Sequence, residues 1–303
     1  MPGKILVTGA TGNVSSGLIP ELAAKGASVR ALVRDQSKAQ GLRDQGVEVV
    51  IGDFDKPETL DAAFSGVGKV FLLTAPNPNQ VAQARNGIAA AKRAGSPYLI
   101  RLSAGALDTT PDSPARITRQ HAEIDAELKA SGLPYTILRP HFFMQNTMMA
   151  AETVASGCPG CNHGIVYMAM KDGKIGMIDV RDIVDVAAKV LTEDGHEGKT
   201  YGLTGPASIS FHDVAAGLSK ALGKEVIYVD VPSEAARESM VATVGLPEWF
   251  ADALTEYTKA FTEGLGDFTT NDFEEITGHP ARSYETFARD FSQAFAPASV
   301  LVS

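Results

Sequence analysis

Short apolar runs alternate with helical patterns along the first half of the chain. Each run spans four to eight residues, is rich in Val, Ile, Leu and Phe, and ends at Gly, Pro or polar residues. Such runs are typical of strands buried on both faces. The predicted strands cover residues 4–8, 28–34, 48–53, 69–74, 98–103 and 135–139, and the predicted helices cover 14–25, 57–64, 80–94 and 119–131. This alternation predicts an α/β fold with a Rossmann-type, doubly wound parallel sheet.

The second half keeps both patterns but spaces its elements less regularly. Strands are predicted at 174–180, 200–203 and 225–231, and helices at 181–191, 211–222 and 248–264. Ser210 and Asp213 have the spacing of a capping box at the start of one helix. We see no repeat or linker in the sequence. We therefore predict a core over residues 1–155 and a smaller C-terminal α/β lobe over 156–303, with some elements returning to the core.

The composition narrows the classes of partner. The chain has 303 residues and a net charge of −9, from 27 Lys and Arg against 36 Asp and Glu. An acidic chain without a basic run disfavours nucleic acid and anionic membranes as partners, and no apolar stretch is long enough to span a bilayer. The two cysteines cannot form a disulfide framework, and the first strand leaves no room for a signal peptide. A cytoplasmic protein is therefore expected.

The sharpest local pattern is a glycine turn. The first predicted strand is followed by Gly9-Ala10-Thr11-Gly12-Asn13-Val14, which opens the first helix. Gly9 permits a tight turn, and Gly12 lets backbone N–H groups approach a pyrophosphate at the helix N-terminus. Ser15 takes the third small position of such motifs. Because this turn lies between a strand and a helix, it predicts a dinucleotide site rather than an ordinary connection.

Arg34 indicates which dinucleotide is bound. It ends the second predicted strand, where NAD-specific sites carry an acid that holds the ribose diol. An arginine at this place suits a 2′-phosphate, so NADP(H) is favoured and NAD(H) stays open as the alternative cofactor. The other interpretation of Arg34 is a solvated strand-end side chain beside Asp35.

Further cofactor candidates follow the third, fourth and fifth strands. Asp53 would accept a hydrogen bond from the adenine amino group and Phe54 would pack against the ring, although Asp53 also suits a helix cap. Ligands of open α/β sheets bind at the carboxyl ends of the strands. The loops that should therefore line the nicotinamide side contribute Leu73, Thr74, Ala75 and Ser103.

Six motifs in order give the chain a resemblance to a known family. They are TGATGN at 8–13, ALVR at 31–34, GDF at 52–54, LPYTILRP at 133–140, DVRDI at 179–183 and GHEGKTY at 195–201, followed by ITGHP at 276–280. Together they resemble the NmrA-like, atypical short-chain dehydrogenase/reductases, and most of all the branch of type 2 NAD(P)H:quinone oxidoreductases and triphenylmethane reductase. The resemblance implies a Rossmann core that binds NADP(H), a C-terminal substrate lobe, and hydride transfer to a flat, electron-poor acceptor.

The usual acid of short-chain dehydrogenases is missing. Those enzymes use Ser with a Tyr and a Lys four residues apart, whereas the matching helix reads Thr-Arg-Gln-His-Ala-Glu-Ile-Asp over 118–125. Ser103 lies where the serine would, and His121 is the one residue of this helix that titrates near neutral pH. Both are therefore catalytic candidates, His121 against the alternative of a structural histidine. A quinone needs a strong proton donor less than a carbonyl does, because hydride addition gives a stabilised phenolate.

The substrate candidates follow the sixth strand or lie on a later helix. They are His141, Phe142, Phe143, Asn146 and Trp249. The phenylalanines would stack on a planar ring and Asn146 would orient a carbonyl, with core packing as the alternative for the aromatics. Trp249 fits either a lid or the core.

Cys158, Cys161 and His163 have a spacing that suggests a metal site. Structural zinc takes four ligands, usually with a second pair at a defined spacing, and the sequence contains no second pair of cysteines. No metal is therefore expected.

These observations predict an NADPH-dependent oxidoreductase that transfers hydride to a quinone-like or conjugated aromatic small molecule. We expect a monomer or a homodimer. Two alternatives stay open. One is a non-catalytic regulatory protein that senses NADP(H). The other is an aromatic polyketide tailoring enzyme, reducing or oxygenating.

Overall fold

A computed structural model describes residues 3–105, 109–158 and 160–296. The strands are β1 (Lys4–Val7), β2 (Val29–Val33), β3 (Glu48–Ile51), β4 (Val67–Leu72), β5 (Tyr98–Leu102), β6 (Tyr135–Pro140), β7 (Gly164–Met168), β8 (Lys174–Ile175), β9 (Thr200–Leu203), β10 (Ile209–Ser210) and β11 (Val226–Asp230). The helices are α1 (Asn13–Ala24), α2 (Ala39–Asp44), α3 (Leu60–Phe64), α4 (Gln80–Arg93), α5 (Arg116–Ala130), α6 (Ala151–Ser156), α7 (Val180–Thr192), α8 (Phe211–Leu222), α9 (Ser233–Ala242), α10 (Glu248–Thr262), α11 (Asp272–Thr277) and α12 (Tyr284–Asp290).

The described residues fall into two compact units. The first unit comprises those within 1–140, 180–203 and 272–279, and the second unit those within 141–179, 204–271 and 280–303. Across residues 3–105, 109–158 and 160–296, no helix combines the length and apolar character that a membrane span requires.

The first unit is built on a seven-stranded parallel sheet in the order β3-β2-β1-β4-β5-β6-β9. The reversal of strand order beside β1 opens a crevice between the carboxyl ends of β1 and β4, where such sheets bind ligands. On one face, α3, α4 and α5 bury Phe64, Ile88 and Leu128 in a cluster with Leu6 and Leu99 of the strands. The prediction of a Rossmann-type, doubly wound α/β fold is confirmed.

The second unit has its own core and two small sheets. β7 pairs with β11 in parallel, and β8 pairs with β10 in antiparallel orientation. The core buries Met144, Phe211, Phe261 and Phe287 among other apolar side chains. The capping box predicted at Ser210 and Asp213 is present at the start of α8.

The strand predicted over 174–180 is wrong for most of its length. Only Lys174–Ile175 forms a strand, and Val180 already begins α7. Gly176 explains the break, because its backbone lies so close to another loop that a Cβ there would stand 2.3 Å from the Phe268 carbonyl oxygen. Its N–H donates to the Gly266 carbonyl, and Ile178 forms an isolated bridge with Phe143, so the segment does not continue as a regular strand.

Candidate functional site

The glycine turn has the geometry that its sequence predicts. Gly9 adopts a φ of +60°, which L side chains rarely take, and a Cβ there would lie 2.8 Å from Cδ2 of Leu73. The Gly12 N–H donates to the Gly9 carbonyl at 2.9 Å, which closes the turn. The turn therefore needs glycine at Gly9 both for its backbone conformation and for the space beside Leu73.

The N-terminus of α1 is left open for an anion. Its N-cap, Gly12, has no side chain to accept a backbone hydrogen bond, and the first turn contains no acidic residue. The bond from the Ser16 N–H to the Gly12 carbonyl closes the first turn, so the N–H groups before Ser16 have no partner within the helix. These N–H groups and the helix dipole suit a pyrophosphate.

Two side-chain hydroxyls stabilise the glycine turn, which follows β1, and tie it to the loop after β4. Thr8 Oγ1 donates to the Leu73 carbonyl at 3.0 Å and accepts from the Leu73 N–H at 2.8 Å. The buried Ser15 Oγ donates to the Thr8 carbonyl at 2.9 Å. Serine therefore fits the third small position of the motif because its hydroxyl finds a backbone acceptor.

Arg34 and Asp35 behave differently at the end of β2. The Asp35 carboxylate accepts from the Ser37 N–H at 2.8 Å, and this hydrogen bond is the main cause that lowers the pKa of Asp35. Arg34 is exposed, and among the described residues its guanidinium makes no hydrogen bond or ion pair. The acid at this strand end is thus engaged as a cap while the arginine is unengaged, which suits a 2′-phosphate better than a ribose diol.

The loops after β3 and β4 satisfy their own polar groups. Asp53 accepts from the Asp55 N–H at 3.0 Å, so its carboxylate fixes the turn rather than capping a helix. Phe54 packs its ring toward Gly87 of α4, where a Cβ would stand 2.9 Å from Cε1. The Thr74 and Ala75 carbonyls accept from Gln80 and Asn77, at 2.9 and 2.8 Å.

A buried charged cluster lies beneath the end of β5. We name it the Ser103 cluster; it contains Ser103, Arg101, His121, Asp125 and Arg139. Ser103 Oγ donates to Asp125 Oδ2 at 3.0 Å, and Arg139 Nε donates to the same oxygen at 2.9 Å. Arg101 Nη1 lies 3.0 Å from Asp125 Oδ1 as an ion pair, although the angle is outside that of a hydrogen bond. Two cations thus face one carboxylate.

Burial makes this arrangement energetically important. The side chains of Arg101 and Asp125 are each only 2% exposed, and burial lowers the pKa of Arg101 to about 10, so the arginine stays charged at neutral pH. The Ser103 hydroxyl gives its proton to Asp125 and keeps only acceptor capacity toward any ligand. Ser103 therefore cannot also donate to a substrate carbonyl in this geometry.

His121 is held inside the same cluster. Its Nδ1 lies 3.1 Å from Arg101 Nη2, and its Nε2 lies 3.2 Å from the Gln80 side-chain amide nitrogen. Burial, together with the positive charges of Arg101 and Arg139, holds the pKa of His121 well below its usual range. The imidazole is therefore neutral at physiological pH, with both nitrogens facing protein groups.

The second unit brings two substrate candidates together with aromatic residues that the sequence analysis did not single out. The His141 ring lies 4.8 Å from Phe268 and 5.5 Å from Phe261, and Phe142 meets Phe261 edge-on at 6.0 Å. His141 Nδ1 accepts from the Phe142 N–H at 2.7 Å, which leaves the ring proton at Nε2. Burial lowers the pKa of His141 to about 4.

The remaining substrate candidates are half-buried in the second unit. Phe143 pairs its backbone with Ile178, and Asn146 donates its N–H to the Phe143 carbonyl at 3.0 Å. The Asn146 side-chain amide has no hydrogen bond within the part of the chain that the structure describes. Trp249 lies near the start of α10, and this residue is not without an interaction partner.

Sequence reasoning missed the charged partners of Ser103. Arg101, Asp125 and Arg139 were not singled out, yet Arg101 stands in the apolar run Tyr98-Leu-Ile-Arg-Leu. A charged residue inside a strand buried on both faces was the available signal, since such a charge requires a partner.

Comparisons with known proteins identify the family to which the chain is similar. The family model described as NmrA-like family matches residues 1–279. An NAD(P)H azoreductase from Xenophilus azovorans is 39% identical over 97% of this chain and 100% of its own length. A (4-alkanoyl-5-oxo-2,5-dihydrofuran-3-yl)methyl phosphate reductase from Streptomyces griseus is 35% identical over 97% and 99%.

Two solved structures have the same fold over nearly the whole chain. The NADPH-dependent quinone oxidoreductase QOR2 from Escherichia coli, complexed with NADPH, aligns with a TM-score of 0.83 at 30% identity, covering 95% of this chain and 99% of the other. The triphenylmethane reductase of Citrobacter sp. aligns with a TM-score of 0.81 at 28% identity, covering 96% and 99%. The predicted family resemblance is confirmed.

Proposed function

Since the chain belongs to the NmrA-like family, we propose that it is an NAD(P)H-dependent oxidoreductase that transfers hydride to a quinone-like or conjugated aromatic acceptor. The names of similar proteins support this proposal, because an azoreductase, a quinone oxidoreductase and a dye reductase all reduce conjugated acceptors. The observation that carries it is the Ser103 cluster, where the only hydroxyl is committed to Asp125 and no Tyr–Lys acid is present at 118–125.

The glycine turn and Arg34 are the proposed cofactor-binding groups. The open N–H groups of α1 would bind the pyrophosphate, and the unengaged guanidinium of Arg34 would bind the 2′-phosphate of NADP(H). When bound, the reduced nicotinamide supplies a hydride. Ser103 offers an acceptor oxygen at the end of β5, which suits the carboxamide N–H of a nicotinamide.

The charge balance of the Ser103 cluster suits the proposed reaction. Hydride addition to a quinone places negative charge on its oxygen, and two arginines face a single carboxylate in this cluster. Fixed positive charge in a buried setting stabilises developing anions better than solvent does. The resulting phenolate can then take its proton from water, so no acidic side chain is required.

Aromatic residues of the second unit are the proposed acceptor-binding groups. His141, Phe142 and Phe143 present planar rings, and the unengaged amide of Asn146 would bond a carbonyl oxygen. We expect Asn146→Ala to raise KM for the acceptor while KM for NADPH stays unchanged. The exposed Asn162→Ala is the matched control, and it should change neither constant.

The proposal is tested by NADPH oxidation with a panel of acceptors. Quinones, azo dyes, triphenylmethane dyes and conjugated enones should be compared, with NADPH and NADH and with and without oxygen. We expect oxygen-independent turnover of at least one conjugated acceptor. Tight NADPH binding without turnover of any acceptor would contradict the proposal, and turnover that requires oxygen would point to oxygenation instead.

A further inference from the structure

A loop of the second unit carries three metal-binding side chains that the proposed reaction does not use. The loop joins α6 to β7, and in it Cys158 and Cys161 form a disulfide with their Cα atoms 5.1 Å apart. His163 follows two residues later. The two Sγ atoms and a ring nitrogen of His163 all lie within 4.8 Å of one another.

Glycines hold the two ends of this loop together. Gly157 has a φ of +65°, and a Cβ there would stand 2.3 Å from the His163 carbonyl oxygen. A Cβ at Gly164 would stand 2.4 Å from the Val154 carbonyl oxygen. The Cys161 N–H donates to the Cys158 carbonyl at 2.9 Å. These contacts hold the two cysteines and the histidine close together.

These side chains are accessible and chemically unengaged apart from the disulfide. Cys158, Cys161 and His163 are each partly exposed. Within residues 3–105, 109–158 and 160–296, the His163 ring makes no hydrogen bond, ion pair or ring contact. Because the ring is partly exposed and has no partner among these residues, its nitrogens are available to a ligand.

We propose that Cys158, Cys161 and His163 form a zinc-binding site when both cysteines are reduced, and that the disulfide is its closed, metal-free form. Two thiolates and an imidazole are a donor set that Zn²⁺ prefers. In a tetrahedral site, zinc bonds of about 2.3 Å to sulfur and about 2.0 Å to nitrogen place the ligand atoms about 3.5–3.8 Å apart. The His163 ring nitrogen already lies within 4.8 Å of both sulfurs, and reduction of the disulfide frees the two Sγ atoms to separate to this spacing.

The absence of a second cysteine pair changes the kind of site rather than excluding one. A closed structural site takes four protein ligands, whereas three protein ligands leave the fourth position to water or another small donor. The site is therefore an open one. It is also distinct from the proposed cofactor-binding groups, since it shares no residue with the glycine turn or the Ser103 cluster.

The change between the two forms is a balanced thiol–disulfide exchange. A dithiol reductant gives two electrons and two protons to the Cys158–Cys161 bond, yielding two thiols and the oxidised, cyclic form of the reductant. Zn²⁺ binding then displaces the two thiol protons, because thiolate is the ligand. Oxidation by a disulfide-forming reagent reverses both steps and releases the ion.

The test compares reduced and oxidised full-length protein. One sample is treated with dithiothreitol and the other with diamide, both are freed of metal by a chelator and desalted without oxygen, and each is titrated with ZnCl₂ against a chromophoric zinc indicator. We expect one Zn²⁺ per chain in the reduced sample and none in the oxidised one. Alkylation and mass spectrometry should count two thiols and no thiols, respectively.

Variants test each ligand. Cys158→Ser should abolish competition with the indicator. His163→Asn should weaken zinc binding at least about tenfold, since even the loss of an outer-shell partner typically costs that much. The matched control is His212→Asn, an exposed histidine of the same unit, which should bind zinc like the unaltered chain. Cobalt in the reduced protein should show a thiolate-to-metal charge-transfer band that diamide removes.

Several outcomes would overturn the proposal. If the reduced protein does not bind zinc, or if both samples bind zinc equally, the proposed site does not exist. If His163→Asn binds zinc with unchanged affinity, His163 is not a zinc ligand. Free thiols that survive diamide contradict the disulfide as the closed form. The comparison of the two unaltered samples needs no variant, so a misfolded cysteine variant would not leave the question open.

Discussion

The glycine turn and the Ser103 cluster lie at the carboxyl ends of strands in the same sheet, yet they satisfy their polar groups in opposite ways. Around the glycine turn, the first N–H groups of α1 have no partner within the helix, and the Arg34 guanidinium makes no hydrogen bond or ion pair to the residues that the structure describes. In the Ser103 cluster, two arginines, an imidazole and a hydroxyl are arranged around one buried carboxylate.

This difference shows two ways in which a protein can arrange charged groups before a ligand binds. Unengaged charge at an exposed strand end costs little in the free protein and is available to an anionic ligand. Buried charge must be compensated within the fold, so it fixes neighbouring groups in place. Substitutions near the glycine turn should therefore change ligand affinity, and substitutions in the Ser103 cluster should change stability first.

The largest expected effect comes from removing the buried carboxylate. Asp125→Asn leaves Arg101 and Arg139 without their counter-ion, and breaking a buried pair in this way typically costs about 3–5 kcal/mol. Urea unfolding should measure this loss. The matched control is Asp61→Asn, which breaks a 2.7 Å pair with Arg93 whose side chains are 49% and 61% exposed. It should cost under about 1 kcal/mol, and equal losses would contradict the role assigned to burial.

The next effect is the pH dependence that His121 confers. Its pKa is depressed in the folded state, so below pH 6.5 the unfolded chain binds a proton that the native chain does not. Stability from this group is therefore fully present above pH 6.5 and is lost as the pH falls below that value. Urea unfolding across this range should show a shallower slope for His121→Asn. The exposed His212→Asn should keep the slope of the unaltered chain. An unchanged slope in His121→Asn would contradict the conclusion that the His121 imidazole is neutral in the folded protein.

The fold of the first unit was largely predictable because its signals are local. Apolar runs, the glycine turn and the helix boundaries each occupy consecutive residues, and all six strands predicted in the first half are present. The exception at 174–180 is instructive. The run is apolar enough for a strand, but Gly176 contacts the 266–268 segment, which lies about ninety residues later in the chain.

The candidate site was predictable only where the chemistry is local. Gly9, Gly12 and Arg34 could be identified because each acts at a strand end through its own backbone or side chain. The partners of Ser103 come from β5, α5 and β6, so no local spacing in the sequence predicts that they meet. Likewise, Phe261 and Phe268 approach His141 from more than a hundred residues away.

A smaller effect is expected at Arg34. Charge-assisted hydrogen bonds contribute about 1.5–3 kcal/mol, so Arg34→Gln should weaken NADPH binding by about thirtyfold and leave NADH binding unchanged. Fluorescence titration with both dinucleotides measures the change. Arg43→Gln is the matched control, because Arg43 is also exposed on the following helix and should not affect either ligand. Equal weakening of NADPH and NADH would show that Arg34 does not bind the 2′-phosphate.

The smallest effect tests whether the glycine turn is needed for its space or only for its backbone. Gly9 and Gly26 both have positive φ, +60° and +76°, so alanine should destabilise the chain by about 1 kcal/mol at either position. At Gly9 the added Cβ meets Leu73 Cδ2 at 2.8 Å, whereas at Gly26 no atom of the described residues lies within 4 Å. Gly9→Ala should therefore weaken NADPH binding about tenfold and Gly26→Ala should leave it unchanged. If both variants bind NADPH as the unaltered chain does, neither the space beside Leu73 nor the backbone conformation of Gly9 is needed for cofactor binding.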